Sequence, residues 1–167
     1  MGPVSANIAI DLPRGRVFGF LSDLANRPAF TDHFIHDLRL ERLSSSGVGA
    51  AARFRLEPPM TRLWMETVIE EADAPHRIFE RGRTGRYDRI PVFTVWELVG
   101  GPGARSEVRL SFWTEPSHPV DRLRERFGAE RWYRRQWSRA LERLKDVLES
   151  GREIERVAVA GGARIPV

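Results

Sequence analysis

Apolar and polar residues change their spacing three times along this chain, and the last two changes divide it into three parts. Val4 to Ile10 alternates loosely and predicts a first strand, which Asp11-Leu12-Pro13 ends. Pro13 suits the opening of a helix, because its missing N–H costs nothing there. Val17, Phe18, Phe20, Leu21 and Leu24 then fall at helical spacing and predict an amphipathic helix from Arg14 to Ala25. Asn26-Arg27-Pro28 interrupts it, and Ala29 to Phe34 predicts a second short helical turn.

From Ile35 the period becomes two. Leu38 and Leu40 alternate with Arg39 and Glu41, and Ser44-Ser45-Ser46-Gly47 is a turn cluster. Phe54 and Leu56 alternate with arginines before Pro58-Pro59, and Met65, Thr67 and Ile69 alternate with Trp64, Glu66, Val68 and Glu70. Ala72 to His76 is a turn and Arg77 to Arg83 a further strand. Ile90 to Val99 sets Val92, Thr94, Trp96 and Leu98 on one face, and after Gly100 to Gly103 a last strand carries Val108, Leu110, Phe112 and Thr114. Six strands joined by short turns predict an antiparallel meander and an α+β fold. No internal repeat and no β-α alternation is present.

The third part is helical again. Pro119 predicts the start of a helix that runs to Glu149, with Gly151 as its stop. Thirty such residues would reach roughly 45 Å. Leu123, Phe127, Tyr133, Trp137, Leu141, Leu144 and Leu148 share one stripe, which needs a large concave partner, and only the sheet is available. Residues 1–150 therefore read as one domain. Glu153 to Val159 alternates weakly and the end is Gly-rich, so 151–167 reads as a C-terminal tail.

Composition narrows the function classes. At 167 residues the chain can bury a sizeable core, and with no cysteine it has no disulfide or thiolate chemistry. No signal-like segment or membrane-length apolar run is visible, so a cytoplasmic protein is expected. The net charge is +4; of the 27 basic residues only Lys145 is a lysine, and the 26 arginines are dispersed among acids. Nucleic-acid binders concentrate such charge in a patch, so no nucleic-acid partner is expected.

Particular segments carry a resemblance. Ile10-Asp11-Leu12-Pro13 before Val17-Phe18 and Ser22-Asp23, Glu66-Thr67-Val68 with Ala74-Pro75-His76-Arg77, Thr94-Val95-Trp96-Glu97-Leu98, and Arg139-Ala140-Leu141-Glu142-Arg143-Leu144-Lys145 stand in that order. Together with the element order, they resemble the START-related SRPBCC superfamily, in the branch named for polyketide cyclases, dehydrases and lipid transport. The likeness covers about residues 4 to 150. It implies a helix-grip fold, in which a curved antiparallel sheet of about seven strands wraps a long C-terminal helix, with two short helices after the first strand. It also implies a pocket for a lipid-like or polyketide-like molecule. Phe30 departs from the family pattern, which often has tryptophan after the first helix, and this bears on the pocket entrance.

Several segments carry chemistry of their own. Gly47-Val48-Gly49-Ala50-Ala51-Ala52 matches a dinucleotide fingerprint in spelling, but a strand follows the glycines where the fingerprint needs a helix. Asp32, His33, His36 and Asp37 have metal-ligand chemistry, yet they straddle a helix-to-strand change and read as a solvated cluster, so no metal or cofactor is expected. His33, near the expected pocket mouth, stays open as an acid–base group. His76 and His118 read as surface residues.

Glu130 and Arg134 fall within the apolar stripe of the long helix, four residues apart in the favourable order. Either this section faces a cavity, where the pair orients a polar end of the ligand, or Gly128 kinks the helix and turns the pair to solvent. Arg131, Trp132, Arg134, Arg135, Trp137 and Arg139 form a basic and aromatic stretch, with Trp137 assigned to the core and Trp132 to the surface.

Three readings follow. The first is a binding protein for a small hydrophobic ligand, with Phe54, Met65, Thr67, Thr94, Trp96 and Leu98 on the wall. Leu110, Phe112, Phe20, Leu24 and Trp137 complete that wall, and Thr114 and Tyr87 are further polar candidates. The second is an aromatase/cyclase or dehydratase in which Arg134, Glu130 and Tyr133 polarise a carbonyl and move protons. The third is a membrane- or partner-binding surface on the basic helix. A homodimer is among the assemblies open to such a chain.

Overall fold

A computed structural model describes residues 1–58, 62–101, 104–120, 122, 128–151, 154 and 157. Its seven strands are β1 (Val4–Ile10), β2 (Ile35–Leu40), β3 (Ala51–Leu56), β4 (Leu63–Asp73), β5 (Arg77–Thr84), β6 (Ile90–Gly100) and β7 (Ser106–Thr114). They form one antiparallel sheet in the order β1-β7-β6-β5-β4-β3-β2. The chain thus runs from one edge to the other through α1 (Arg14–Leu21), a 3-10 turn (Leu24–Asn26) and α2 (Pro28–Thr31). The long C-terminal helix is α3 (Ala129–Ser150).

The period-two pattern forms the sheet as expected. Buried Met65, Thr67 and Ile69 on β4 alternate with more exposed neighbours, as do Val92, Thr94, Trp96 and Leu98 on β6 and Val108, Leu110, Phe112 and Thr114 on β7. Strand β2 departs from strict alternation. Its register shifts between His36 and Arg39, and Asp37 adopts a φ of 54°, so Leu38 is half-buried.

The helices are shorter than their apolar patterns suggest. The single helix expected over Arg14 to Ala25 is divided at Ser22-Asp23, where the Asp23 carboxylate accepts from the Ala25 N–H at 3.0 Å and starts the 3-10 turn. Pro28 opens α2, which ends at Thr31, three residues short of the expected Phe34. At the far end, the continuous helix from Pro119 is corrected. Gly128 has a φ of 87° and interrupts the helical backbone, so α3 begins at Ala129 and is about 33 Å long. Leu123 and Phe127, counted in the stripe, lie outside the described residues, as do Pro59, Pro102, Gly103 and most of 151–167. The stop at Gly151, with a φ of 62°, is as predicted.

Tyr133, Trp137, Ala140, Leu141 and Leu144 are the buried residues of α3, and they pack across the inner face of the sheet. Tyr133 lies against Phe112 with ring centroids 4.7 Å apart, and Trp137 meets Trp96 and Phe112, each at 5.8 Å. In the segment read as a tail, Val157 donates its N–H to the Ala25 carbonyl at 3.2 Å and packs against the core. No helix among the described residues is long and apolar enough to cross a membrane.

Candidate functional site

Among the described residues the interior between sheet and α3 is mostly apolar, and its two buried charged side chains meet at one place. Ile78, Glu80, Gly82 and Thr84 alternate on the inner face of β5, so Glu80 points into the core, where it is 1% exposed. Across from it, the turn between Asn26 and Pro28 delivers Arg27, which is 3% exposed. Its Nη2 donates to Glu80 Oε1. Trp96 on β6 donates its Nε1–H to the same oxygen at 2.8 Å, and Thr67 on β4 donates its hydroxyl to Oε2 at 3.1 Å. Three adjacent strands and the helical turn therefore converge on one carboxylate.

Aromatic rings enclose this cluster. The Arg27 guanidinium lies over Trp96, 5.2 Å from the ring, and 6.0 Å from Phe30. Phe30 meets Trp96 edge-on at 6.2 Å. Phe30 is wholly buried against the polar cluster. The Arg27 main chain is fixed as well, since the Thr31 hydroxyl donates to its carbonyl at 2.7 Å. A guanidinium and a carboxylate held together away from water form a strong, oriented dipole that can act on a polar atom nearby.

The expected wall residues meet in this interior. Leu24, Phe54, Met65, Thr67, Thr94, Trp96, Leu98, Leu110, Phe112 and Trp137 are all buried, and Phe20 is partly buried beside Phe30. Thr114 is buried too, whereas Tyr87 stands 79% exposed at a φ of 63° and leaves the set of inward polar groups. Sequence reasoning missed Arg27 and Glu80. The period-two spacing from Ile78 carried a signal for Glu80; nothing local marked Arg27, whose partner is 53 residues away.

The proposed polar trio does not converge. Tyr133 is buried, but Glu130 and Arg134 are 55% and 58% exposed and bond to each other at 2.8 Å on the surface. Gly128 makes Glu130 part of the first turn of α3, where a carboxylate also suits the helix dipole. The arginine beside it carries its charged end out to water. Exposed pairs of this spacing are worth about 0.3–0.5 kcal/mol. Arg134→Ala is therefore expected to change unfolding free energy by less than about 0.5 kcal/mol in urea titrations, with no effect on the interior. Trp132, expected on the surface, is half-buried instead, edge-on to Phe34 at 6.0 Å, because the segment after α2 lies against that flank of α3.

The Asp32–Asp37 cluster is dispersed by its neighbours. Asp32 pairs with Arg143 at 2.7 Å and Asp37 with Arg55 at 3.1 Å, and among the described residues no group of three or more such side chains could hold a metal ion. Gly47 and Gly49 sit in a loop that leads directly into β3 and not into a helix. His76 and His118 are exposed. His33 Nε2 lies 3.3 Å from the Gln136 carbonyl, and its Nδ1 is buried without a partner among the described residues. Burial lowers the His33 pKa from its ordinary 6.5, and the Arg143 and Arg139 charges push the same way against the Gln136 carbonyl and Asp32. A lowered folded pKa means that the unfolded chain takes up the proton first. The stabilising contribution is complete above about pH 6.5 and is lost as pH falls through the folded pKa. The drop in Tm between pH 7 and pH 5 is accordingly expected to be smaller in His33→Gln than in the unaltered chain; equal drops would remove His33 from the acid response.

Comparison with known proteins agrees with this architecture. Residues 1–149 match the family model described as polyketide cyclase / dehydrase and lipid transport, and the chain belongs to that family, within the SRPBCC group of helix-grip proteins. Among solved structures it is similar to the KanY protein, at 19% identity and a TM-score of 0.70, covering 89% of this chain and 99% of that one. It is also similar to TTHA0849 from Thermus thermophilus, at 14% identity and a TM-score of 0.68 with 90% and 99% covered. A major latex-like protein from Panax ginseng gives 13%, 0.58, 90% and 96%. These likenesses show the fold. No curated protein matches.

Proposed function

We propose that this chain binds a small hydrophobic ligand, lipid-like or polyketide-like, in the interior between the sheet and α3. Membership of a family named for polyketide cyclases, dehydrases and lipid transport supports a hydrophobic ligand. The observation that carries the reading to this site is the Arg27–Glu80 pair. A buried ion pair adds little net stability over an apolar substitute of the same volume. Its presence among aromatic rings, with Thr67 and Trp96 holding the carboxylate in place, is better accounted for by recognition than by folding. The apolar wall supplies affinity and the pair orients the ligand's polar end.

Native mass spectrometry of the purified protein tests this directly, with release and identification of any bound small molecule. A retained hydrophobic ligand, or a rise in Tm with members of a fatty-acid and polycyclic-aromatic panel, is the expected result. No retained mass and no thermal shift across the panel would remove the reading.

A further inference from the structure

Two tryptophans lie in the core, and the fold treats their N–H groups differently. Trp96 Nε1–H finds Glu80. Trp137, 4% exposed at the middle of α3, has its Nε1 buried with no hydrogen-bond partner among the described residues. Its ring is enclosed by Phe34 at 5.1 Å and by Trp96 and Phe112 at 5.8 Å, none of which offers a side-chain acceptor. The Glu80 carboxylate is already engaged by Arg27, Trp96 and Thr67.

A buried donor left unpaired is expensive, and phenylalanine would fill much of the same space without one. Buried tryptophan normally finds an acceptor for its N–H. The other two buried unpaired side-chain atoms among the described residues have ordinary explanations. His33 Nδ1 belongs to a ring whose Nε2 already meets the Gln136 carbonyl, and Arg55 Nε belongs to a guanidinium already paired with Asp37. Trp137 has a single polar atom, so its case is different.

We infer that the Trp137 Nε1–H is a donor to the interior ligand, and that the ligand is therefore a hydrophobic molecule bearing an oxygen acceptor, a carbonyl or an ether-type oxygen, set among the rings of Phe34, Trp96 and Phe112. The inference rests on the interior-ligand reading above and narrows its chemistry: a pure hydrocarbon leaves the donor unpaired.

The test uses 1-tetralone and tetralin, two-ring probes that differ only by a carbonyl, titrated against the unaltered chain and Trp137→Phe. The ratio of the two Kd values is expected to shift toward tetralin by about tenfold on substitution, the size of one lost hydrogen bond, with tetralin affinity itself little changed. In 1H–15N spectra of the unaltered chain, the sequentially assigned Trp137 indole resonance should move downfield with 1-tetralone and not with tetralin. That second measurement stands even where the substituted chain fails to fold. The same ratio in both proteins, or an indole resonance that answers both probes alike, would overturn the inference and leave the interior-ligand reading in place; this is also the outcome if a buried water satisfies the donor. Binding of neither probe by the unaltered chain would count against the interior-ligand reading itself and take the inference with it.

Discussion

Replacement of Glu80 by alanine is expected to destabilise the protein by about 3–5 kcal/mol, because it strands the Arg27 guanidinium in the core without its counter-charge. The same change removes the acceptor of the Trp96 N–H and the Thr67 hydroxyl, so three donors lose their partner at once. The double variant Arg27→Met with Glu80→Leu removes both charges and restores apolar packing. It is expected to recover the part of the loss that comes from the stranded charge, while the Trp96 N–H and the Thr67 hydroxyl still lack their acceptor. Urea unfolding of the two proteins separates the penalty of an orphaned charge from the worth of the pair. If Glu80→Ala lost less than about 1 kcal/mol, the carboxylate would not be the centre of the buried network.

Gly82→Ala is the second large effect. Gly82 faces Thr67 across the β4–β5 ladder, and a Cβ built there would overlap the Glu66 carbonyl oxygen, which is main chain and cannot rotate away. The strands must separate locally, and the separation falls beside the Thr67–Glu80 hydrogen bond. Overpacking of this kind costs about 1–3 kcal/mol and more where the obstructing atom is fixed, so a loss at or above the top of that range is expected. Thermal unfolding measures it. A Gly82→Ala protein as stable as the original would mean that β4 and β5 pair more loosely than the register implies.

The sheet was legible because one inner and one outer face impose a period of two, and Trp96, Leu110 and Phe112 fell where that period put them. Helix ends were less legible. Pro13 and Gly151 act through their own backbone preferences and were readable, and the interruption at Gly128, which turns Glu130 and Arg134 to solvent, was one of the two readings the sequence left open. The stripe counted through it carried Glu130 and Arg134 with it. In the structure, the first turn of α3 leaves both in solvent. The centre of the candidate site was the least legible part. An ion pair between a turn and a strand 53 residues on depends on tertiary meeting, for which neither residue's neighbours give a distance. Glu80 could have been singled out as a charge on a core-facing position; its partner could not.

The strand order has a consequence for how the chain assembles. Every neighbour from β2 to β7 follows its partner in sequence, so those pairings close short loops and can form hairpin by hairpin. β1 is the exception. It pairs Val4 with Phe112 and Ile10 with Ser106, and that loop of about a hundred residues must close before any of its hydrogen bonds form. The last turn of α3 is tied to the same edge, since Glu149 accepts from the Asp11 N–H at 2.8 Å. β1 therefore waits for β7, and until it docks β7 presents an open edge to other chains.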